Sequence, residues 1–347
     1  MRKLLFLMVV LVALWSGYWF VGSNAVRDGV NGWFADSAAQ GLEATNTGVT
    51  VAGFPNRFDL TVAGLHLADP ATGAGWEAPF VQVFAMTWKP WHIIAAFPPE
   101  SRLVLPDQVV TLGSEGLRAS FRARPAMDLP LAAAVLETNR LTAGSTAGWT
   151  AGAGRSVASI SADEEVPGAG DAPNTYVLSF DAAEVSPDPA FLARVKAVAI
   201  PDLPPSDLPE TMDRLRGSIF LTLSAPLDRH AGETKPYLTR VEINRLDFAW
   251  GKLALTAKGL IQADDQGFAS GEITVEITNW DRLPALLVAA GMVRPEMAPT
   301  IARGMQALAA QSPDLTVLSL KLALAEGQMS FGPFPLGPAP RMVPPTG

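Results

Sequence analysis

The residue types that most often carry out chemistry are few in this sequence, and they stand far apart. The three histidines, His66, His92 and His230, include no His-x-x-x-His pair and no carboxylate at ligand spacing, so we predict structural roles for them and no metal site. The segment 144–148 places its serine one position too early for the nucleophile elbow of a serine hydrolase. The sequence also contains no phosphate-binding loop and no dinucleotide fingerprint. We therefore predict a protein that is not an enzyme, with no catalytic residues and no cofactor.

The amino-acid composition indicates which kinds of partner and which cellular compartment suit this protein. There is no cysteine, which excludes disulfides, thiolate metal sites and cysteine nucleophiles and suits an oxidising compartment. Acidic residues outnumber basic ones, and the net charge is −8. Because proteins bind nucleic acids through a cationic face that displaces counterions, nucleic-acid binding is not expected.

The N-terminal segment Leu4–Val21 is eighteen residues long and carries no charge. As a helix it would span roughly 27 Å at about 1.5 Å per residue, close to the ~30 Å hydrocarbon thickness of a bilayer. Arg2 and Lys3 precede it, so the positive-inside rule keeps the N-terminus in the cytoplasm and exports the rest. We predict a single-pass protein of the bacterial inner membrane with its body in the periplasm and residues 1–25 as anchor. The alternative is a cleaved signal peptide, with the cut before Val26.

Alternation of apolar and polar residues dominates the remainder and is typical of antiparallel strands. The segments 58–62, 253–257 and 273–278 show it, and Gly, Pro, Asp and Asn separate such segments. The fold class that follows is mainly β, in the sense of a β-rich α+β protein. We expect one transmembrane helix followed by an elongated, antiparallel, curved sheet or meander with a few short helices.

Charge and proline content divide the body. We predict a first β-rich unit over 26–165 and a second over 211–347, which carries helices near 280–310. Between them, 166–210 reads as a Pro/Gly-rich connection, since four prolines in 200–210 remove ladder donors and allow no strand there. At the start of the first unit, the spacing of apolar residues over 26–44 predicts a short amphipathic helix or a plain spacer.

Four side chains between residues 88 and 99 form the most unusual local pattern. Trp88, Trp91, His92 and Phe97 lie among prolines and precede or flank an apolar run. Such rings can line an apolar groove or lie at a membrane surface, and they can also fill the core at a corner between strands. We take these four residues as the candidate apolar groove or surface.

Several segments together resemble a known family. They are Gly53–Leu60 (GFPNRFDL), Gly75–Pro79 (GWEAP), Trp88–His92 (WKPWH) and Glu326–Pro333 (EGQMSFGP). The chain resembles the uncharacterised alphaproteobacterial family called domain of unknown function 2125 over almost everything beyond the N-terminal helix. That resemblance implies an envelope protein and supplies no activity or catalytic residue. A looser likeness is to AsmA-like envelope proteins, which implies a curved β-sheet with an apolar inner groove for phospholipid.

Two functions remain open on this basis. In the first, the protein binds lipid or another apolar ligand along a curved sheet, whose apolar rows are 253–255, 273–277 and 318–324. In the second, it is a periplasmic scaffold or interaction module without a small ligand, because exposed sheet edges accept added strands. The expected partners are the inner membrane, through the N-terminal helix, and either lipid or other envelope proteins.

Overall fold

A computed structural model of the chain describes residues 2–162, 174–332 and 334–344. Half of the structure is strand (50%) and 23% is helix, and the strand pairs are antiparallel, so the predicted β-rich fold class is confirmed. The chain divides into two compact units. Unit 1 comprises Met1–Pro125 and Ala134–Gly148, and unit 2 comprises Ala126–Ala133 and Trp149–Gly347. The charged, glycine-rich stretch 163–173 lies outside the described residues.

The helices are α1 (Arg2–Ala39), α2 (Pro189–Ala197), α3 (Ala231–Thr234), α4 (Leu283–Ala289) and α5 (Ala298–Ala309), with 3-10 turns at Trp280–Arg282 and Pro295–Met297. The first ten strands are β1 (Glu43–Thr45), β2 (Gly48–Ala52), β3 (Arg57–Asp69), β4 (Ala74–Met86), β5 (Lys89–Ala96), β6 (Glu100–Leu105), β7 (Gln108–Glu115), β8 (Arg118–Ala123), β9 (Leu131–Thr138) and β10 (Arg140–Ser145). The others are β11 (Thr150–Ala153), β12 (Ser156–Ala162), β13 (Thr175–Val185), β14 (Met212–Leu223), β15 (Leu238–Trp250), β16 (Leu253–Ala263), β17 (Ala269–Thr278), β18 (Val317–Ala325), β19 (Gln328–Phe331) and β20 (Phe334–Pro338).

Helix α1 is one continuous element of 38 residues. Its first part is long and apolar enough to cross a membrane, as the sequence predicts, and it is almost entirely exposed. The predicted boundary at residue 25 does not coincide with the end of the helix. The reason is that Val26, Val30 and Phe34, spaced four apart, pack on the sheet of unit 1 and hold the following turns helical. The amphipathic helix predicted beyond the membrane is therefore the second half of α1.

In unit 1, strand β3 is the central element and pairs with β1, β2 and β4. Strand β4 pairs with β5 at one end and with β6 at the other. Strand β5 then pairs with β8, while β6 pairs with β7, which in turn pairs with β10. Phe58, Leu60 and Val62 alternate on one face of β3 and are buried, whereas Arg57 and Asp59 face the other way. The buried face is the one on which α1 packs.

Unit 2 is built on a meander in which each strand from β12 to β20 pairs with the next. Helices α2, α4 and α5 cover one end of its apolar face and form the largest buried cluster with the sheet residues Trp250, Leu253, Ile277 and Leu318. The last residues of the chain cover the opposite end, where Ala339 packs with Ala269 and Leu324.

The predicted connection over 166–210 contains regular structure, which corrects that interpretation. Strand β13 and helix α2 both lie within it. In the described part of this predicted connection, all prolines lie between residues 187 and 209. The alternating segment 175–185 contains none, so it can pair with β14. Asp188 then starts α2, since its carboxylate accepts a hydrogen bond from the Phe191 amide at 3.0 Å. The stretch 201–210, which holds four of these prolines, contains no strand, as predicted.

This proline-rich stretch is attached to the core of unit 2 by a clamp. The Arg282 guanidinium, with 10% of its side chain exposed, donates two hydrogen bonds to the Asp207 carboxylate, at 2.6 and 3.0 Å. Lys252 reaches the same carboxylate at 3.1 Å, and Asp281 accepts from Arg282 at 2.9 Å. The hydrogen bonds from Arg282 and then Lys252 hold the pKa of Asp207 well below its usual range. Leu208, the next residue, is almost fully buried.

Candidate functional site

The second half of α1 and the strands beneath it enclose an apolar cavity. Val30 and Phe34 contact β3 and β4, but the helix ends at Ala39, and the sheet continues beyond it to β6. The gap left by the end of the helix is a cavity of about 380 Å³. It is open to solvent at a rim that includes Trp33, Leu42 and Leu105, all of them exposed.

The lining of this cavity is mostly apolar and comes from five elements and their loops. Helix α1 and strands β1, β3, β4 and β6 contribute the residues, which are Trp33, Ser37, Leu42, Glu43, Ala44, Leu67, Ala68, Asp69, Ala74, Gly75, Trp76, Leu103, Val104 and Leu105. Trp76, Leu67 and Leu103 lie side by side because they occupy one register line across β3, β4 and β6. Such a lining can bind an apolar group by contact and shape.

The two carboxylates at the cavity, those of Asp69 and Glu43, have partners in a turn and at the surface. The Asp69 carboxylate accepts hydrogen bonds from the Ala71 amide at 2.9 Å and from the Thr72 hydroxyl at 3.0 Å, which shape the turn after β3. Glu43 is exposed and lies 3.8 Å from His66. These contacts build a turn and a surface ion pair, so the two carboxylates act outside the cavity.

The histidines occupy three separate places, as the sequence predicts. His66 lies on the face of β3 opposite Leu67, and Glu77 approaches it to 3.5 Å across the sheet, a neighbour that sequence spacing did not reveal. His92 is 3.2 Å from the Ser120 hydroxyl, and His230 is 3.7 Å from Asp128. Within the described ranges, no group of three His, Asp or Glu side chains is placed to hold a metal ion.

The four residues predicted as an apolar groove or surface are not brought together as one patch. Trp91 and His92 are neighbours on β5 and therefore face opposite sides of the sheet. Phe97 lies 6.1 Å, ring to ring, from Trp76, at the edge of the cavity lining. Trp88 lies in the turn between β4 and β5 with 53% of its surface exposed. Two of the four thus belong to different places in unit 1, one near the cavity and one at a loop tip.

The apolar rows of unit 2 that motivated a lipid groove are covered over much of their length. Leu253, Ile277, Leu318 and Leu320 lie under the helices, and Leu324 lies under the C-terminal segment. Between the part covered by the helices and the part covered by the C-terminal segment, strands β12 to β15 carry one register line of apolar side chains that are only half-buried. These side chains belong to none of the buried clusters. The line consists of Ile160, Leu178, Ile219 and Ile243. The rows that motivated the lipid groove are therefore mainly core residues, and this half-buried line is the open part of the apolar face.

Sequence reasoning missed the residues that line the cavity. Trp33 and Leu42 belong to a segment interpreted as a helix or a spacer, and Leu103 and Leu105 stand in an ordinary alternating pattern. A signal was present in Gly75–Pro79, where a tryptophan follows a glycine inside one of the family segments. It could not identify a cavity, because the partners of Trp76 come from α1 and β6.

Comparison with known proteins gives a family and nothing finer. Residues 19–340 match the family model described as an uncharacterized protein conserved in bacteria, DUF2125. No curated protein matches the chain, and neither does any solved structure. The match begins inside α1 and takes in both units.

Proposed function

The chain belongs to this DUF2125 family, and we propose that it is an envelope protein, anchored in the bacterial inner membrane by α1, that binds an apolar ligand in the cavity of unit 1. The ligand class is a lipid acyl chain. The observation that carries the proposal is the open cavity of about 380 Å³ with a mostly apolar lining. Its volume falls in the range of roughly 300–1,000 Å³ that small-molecule sites occupy.

A retained anchor is supported by the way α1 is built into unit 1, and Arg2 and Lys3 before the apolar run support a body in the periplasm. Trp19 and Ser23 are buried, and the Tyr18 hydroxyl donates a hydrogen bond to the Thr87 carbonyl at 2.8 Å. Cleavage before Val26 would remove these contacts from the folded body. The helix is also unbroken at Val26, the position before which the alternative places the cut.

Binding is favoured over catalysis by the kind of side chains that surround the cavity. Tryptophan and leucine bury large apolar areas and offer no group that transfers a proton or attacks a carbonyl. Burial of acyl-chain surface in such a site is worth roughly 25 cal/mol per Å². The cavity can therefore retain a lipid tail without a charged partner.

A photo-crosslinking experiment tests the proposal. A benzophenone amino acid is placed at Leu105, on the rim of the cavity, or at Leu136, which is also exposed but does not line it. After irradiation in cells, we expect mass spectrometry to find a lipid adduct at Leu105 and none at Leu136. Ala68→Trp, which fills the cavity, should abolish the adduct at Leu105.

Other outcomes of this experiment count against the proposal. Equal lipid adducts at both positions would indicate general contact with lipid and no specific site. A protein adduct at Leu105 with no lipid would favour the alternative function, a periplasmic scaffold or interaction module.

A further inference from the structure

Two loops at one end of unit 1 are joined to each other beside α1. The first, 53–56, connects β2 to β3, and the second, 87–88, connects β4 to β5. The Thr87 amide and hydroxyl both donate to the Asn56 carbonyl, at 3.1 and 3.2 Å. Gly53 makes the first turn possible, because its φ of +96° and the closeness of the Arg57 carbonyl exclude a side chain. The pair therefore behaves as one structural element.

This pair of loops is fastened to α1 by aromatic side chains. The Tyr18 hydroxyl donates to the Thr87 carbonyl at 2.8 Å, and the Trp19 indole donates to the Arg57 carbonyl at 2.7 Å. The rings of Trp19 and Phe54 meet edge to face with centroids 5.4 Å apart. The loops thus lie at the level of helix residues 18–20.

That level falls inside the lipid when the helix crosses a bilayer. A hydrocarbon layer of ~30 Å takes up about 20 residues of helix, so a span that starts at Leu4 ends near Ser23. Trp19 is four residues short of that point, or about 6 Å below the outer boundary of the hydrocarbon. Loops attached at Trp19 must therefore reach the boundary between acyl chains and headgroups.

The exposed side chains of these loops suit this boundary. Phe54 and Trp88 are each 53% exposed, and Met86 beside them is also exposed. Arg57 and Lys89, at the same loops, are exposed cations in a chain whose net charge is −8. Aromatic rings with flanking Lys and Arg are the composition found at membrane–water interfaces.

We propose that these two loops form a membrane-docking edge, in which Phe54 and Trp88 insert into the headgroup region of the leaflet from which α1 emerges. The partner is the phospholipid surface itself. Lys89 contacts its phosphates, and Arg57, whose guanidinium is paired with Asp59 at 2.6 Å but is still about half exposed, adds its remaining donors. The inference rests on the proposed anchor, because the membrane level is set by α1. It goes beyond the ligand cavity, which lies at the other end of β4, where Gly75 pairs with Val104 of the cavity lining.

The absence of cysteine allows a direct test on the full chain. Phe54→Cys, Trp88→Cys, Leu136→Cys and Val12→Cys are each labelled with an environment-sensitive fluorophore in phospholipid nanodiscs; Leu136 is exposed and lies outside the cavity lining. Parallel samples carry a nitroxide quencher either high on the acyl chain, at the depth of the loops, or near the end of the chain, at the depth of Val12. We expect about half or more of the emission to be lost to the shallow quencher at positions 54 and 88 and to the deep quencher at 12, and little to be lost at 136.

The four positions separate the possible failures. Strong quenching at 12 with none at 54 and 88 would overturn the docking edge and leave the anchor standing. Lack of quenching at 12, 54 and 88 together would overturn both. Trp88→Cys changes an exposed turn residue, so its result does not depend on any disturbance of the Trp19–Phe54 contact, and circular dichroism of each variant verifies the fold.

Discussion

The clamp between Arg282 and Asp207 makes a prediction that can be worked out in detail. Arg282→Met removes two hydrogen bonds to Asp207 and one to Asp281, yet keeps an unbranched apolar stem in place of the aliphatic part of the arginine. Asp207→Asn removes the charge from the other partner. Both changes release the proline-rich stretch around Leu208 from the core of unit 2.

The expected loss of stability follows from how exposed the Arg282 and Asp207 side chains are. Breaking a fully buried ion pair costs about 3–5 kcal/mol, because one charge is left buried and unpaired. Here the Arg282 side chain is 10% exposed but that of Asp207 is 45% exposed, so water replaces part of the interaction. We therefore expect each single substitution to lower the free energy of unfolding of unit 2 by about 1–3 kcal/mol. The coupling in a double-mutant cycle should be about 1–2 kcal/mol.

The pH dependence has a definite sign. The hydrogen bonds from Arg282 and then Lys252 lower the pKa of Asp207 in the folded protein well below its ordinary value of 3.8. A carboxyl whose folded pKa is depressed contributes its stability above its unfolded pKa and loses it as the pH falls. The wild-type protein should lose more stability than Asp207→Asn between about pH 5 and pH 3.

Hydrogen exchange measured by mass spectrometry on the full chain in detergent micelles is the assay. Opening free energies of peptides from β16 to β18, corrected for intrinsic exchange rates, report on the core beneath the clamp. Additivity of the two substitutions within about 0.3–0.5 kcal/mol would refute the reasoning. Identical pH profiles for the wild type and Asp207→Asn would refute it independently.

Three further predictions test other contacts. A side chain at Gly22 would approach the Phe58 ring to 2.6 Å, so Gly22→Val should lower the free energy of unfolding of unit 1 by about 1–3 kcal/mol. The control is Gly17→Val, which should leave stability unchanged because a side chain at Gly17 would meet nothing within 4 Å. Thermal unfolding compares the two variants. Intact mass spectrometry of the membrane-bound protein should find α1 retained, and a protein that begins at Val26 would contradict the anchor. Leu208→Ala should cost about 2–5 kcal/mol in urea unfolding, because the side chain is almost fully buried; a loss below that range would mean that the stretch is only loosely attached.

The fold class could be predicted because alternation and charge-free runs are set by residues that are neighbours in the sequence. The alternation in 253–257 and 273–278 leads directly to β16 and β17, which pair in register from Ala254 and Thr278 onward. The charge-free run at the N-terminus gives the first half of α1 for the same reason. The strand at 175–185 was assigned to a connection because nearby prolines and glycines dominated the composition, although alternation was present in the strand itself.

The candidate site was beyond sequence reasoning because it depends on contacts between distant segments. Trp76 meets Trp33 and Leu103 only after α1 folds back on β4 and β6 pairs with it. The aromatic segment near Trp88 was recognised, but alternation along β5 separates Trp91 from His92, and the turn sets Trp88 apart from both. Likewise, whether an apolar row is open depends on α4 and α5, which are contributed by later residues.

Helix α1 is unbroken, so in the proposed anchored arrangement it fixes the height of the cavity above the membrane. The span proposed above ends near Ser23, and Trp33 lies ten residues later, or about 15 Å further along the axis. An acyl chain bound in the cavity, as proposed, would therefore lie outside the hydrocarbon layer. Such a helix would suit the protein to holding a lipid that has left the bilayer, and not to detecting one that is still embedded.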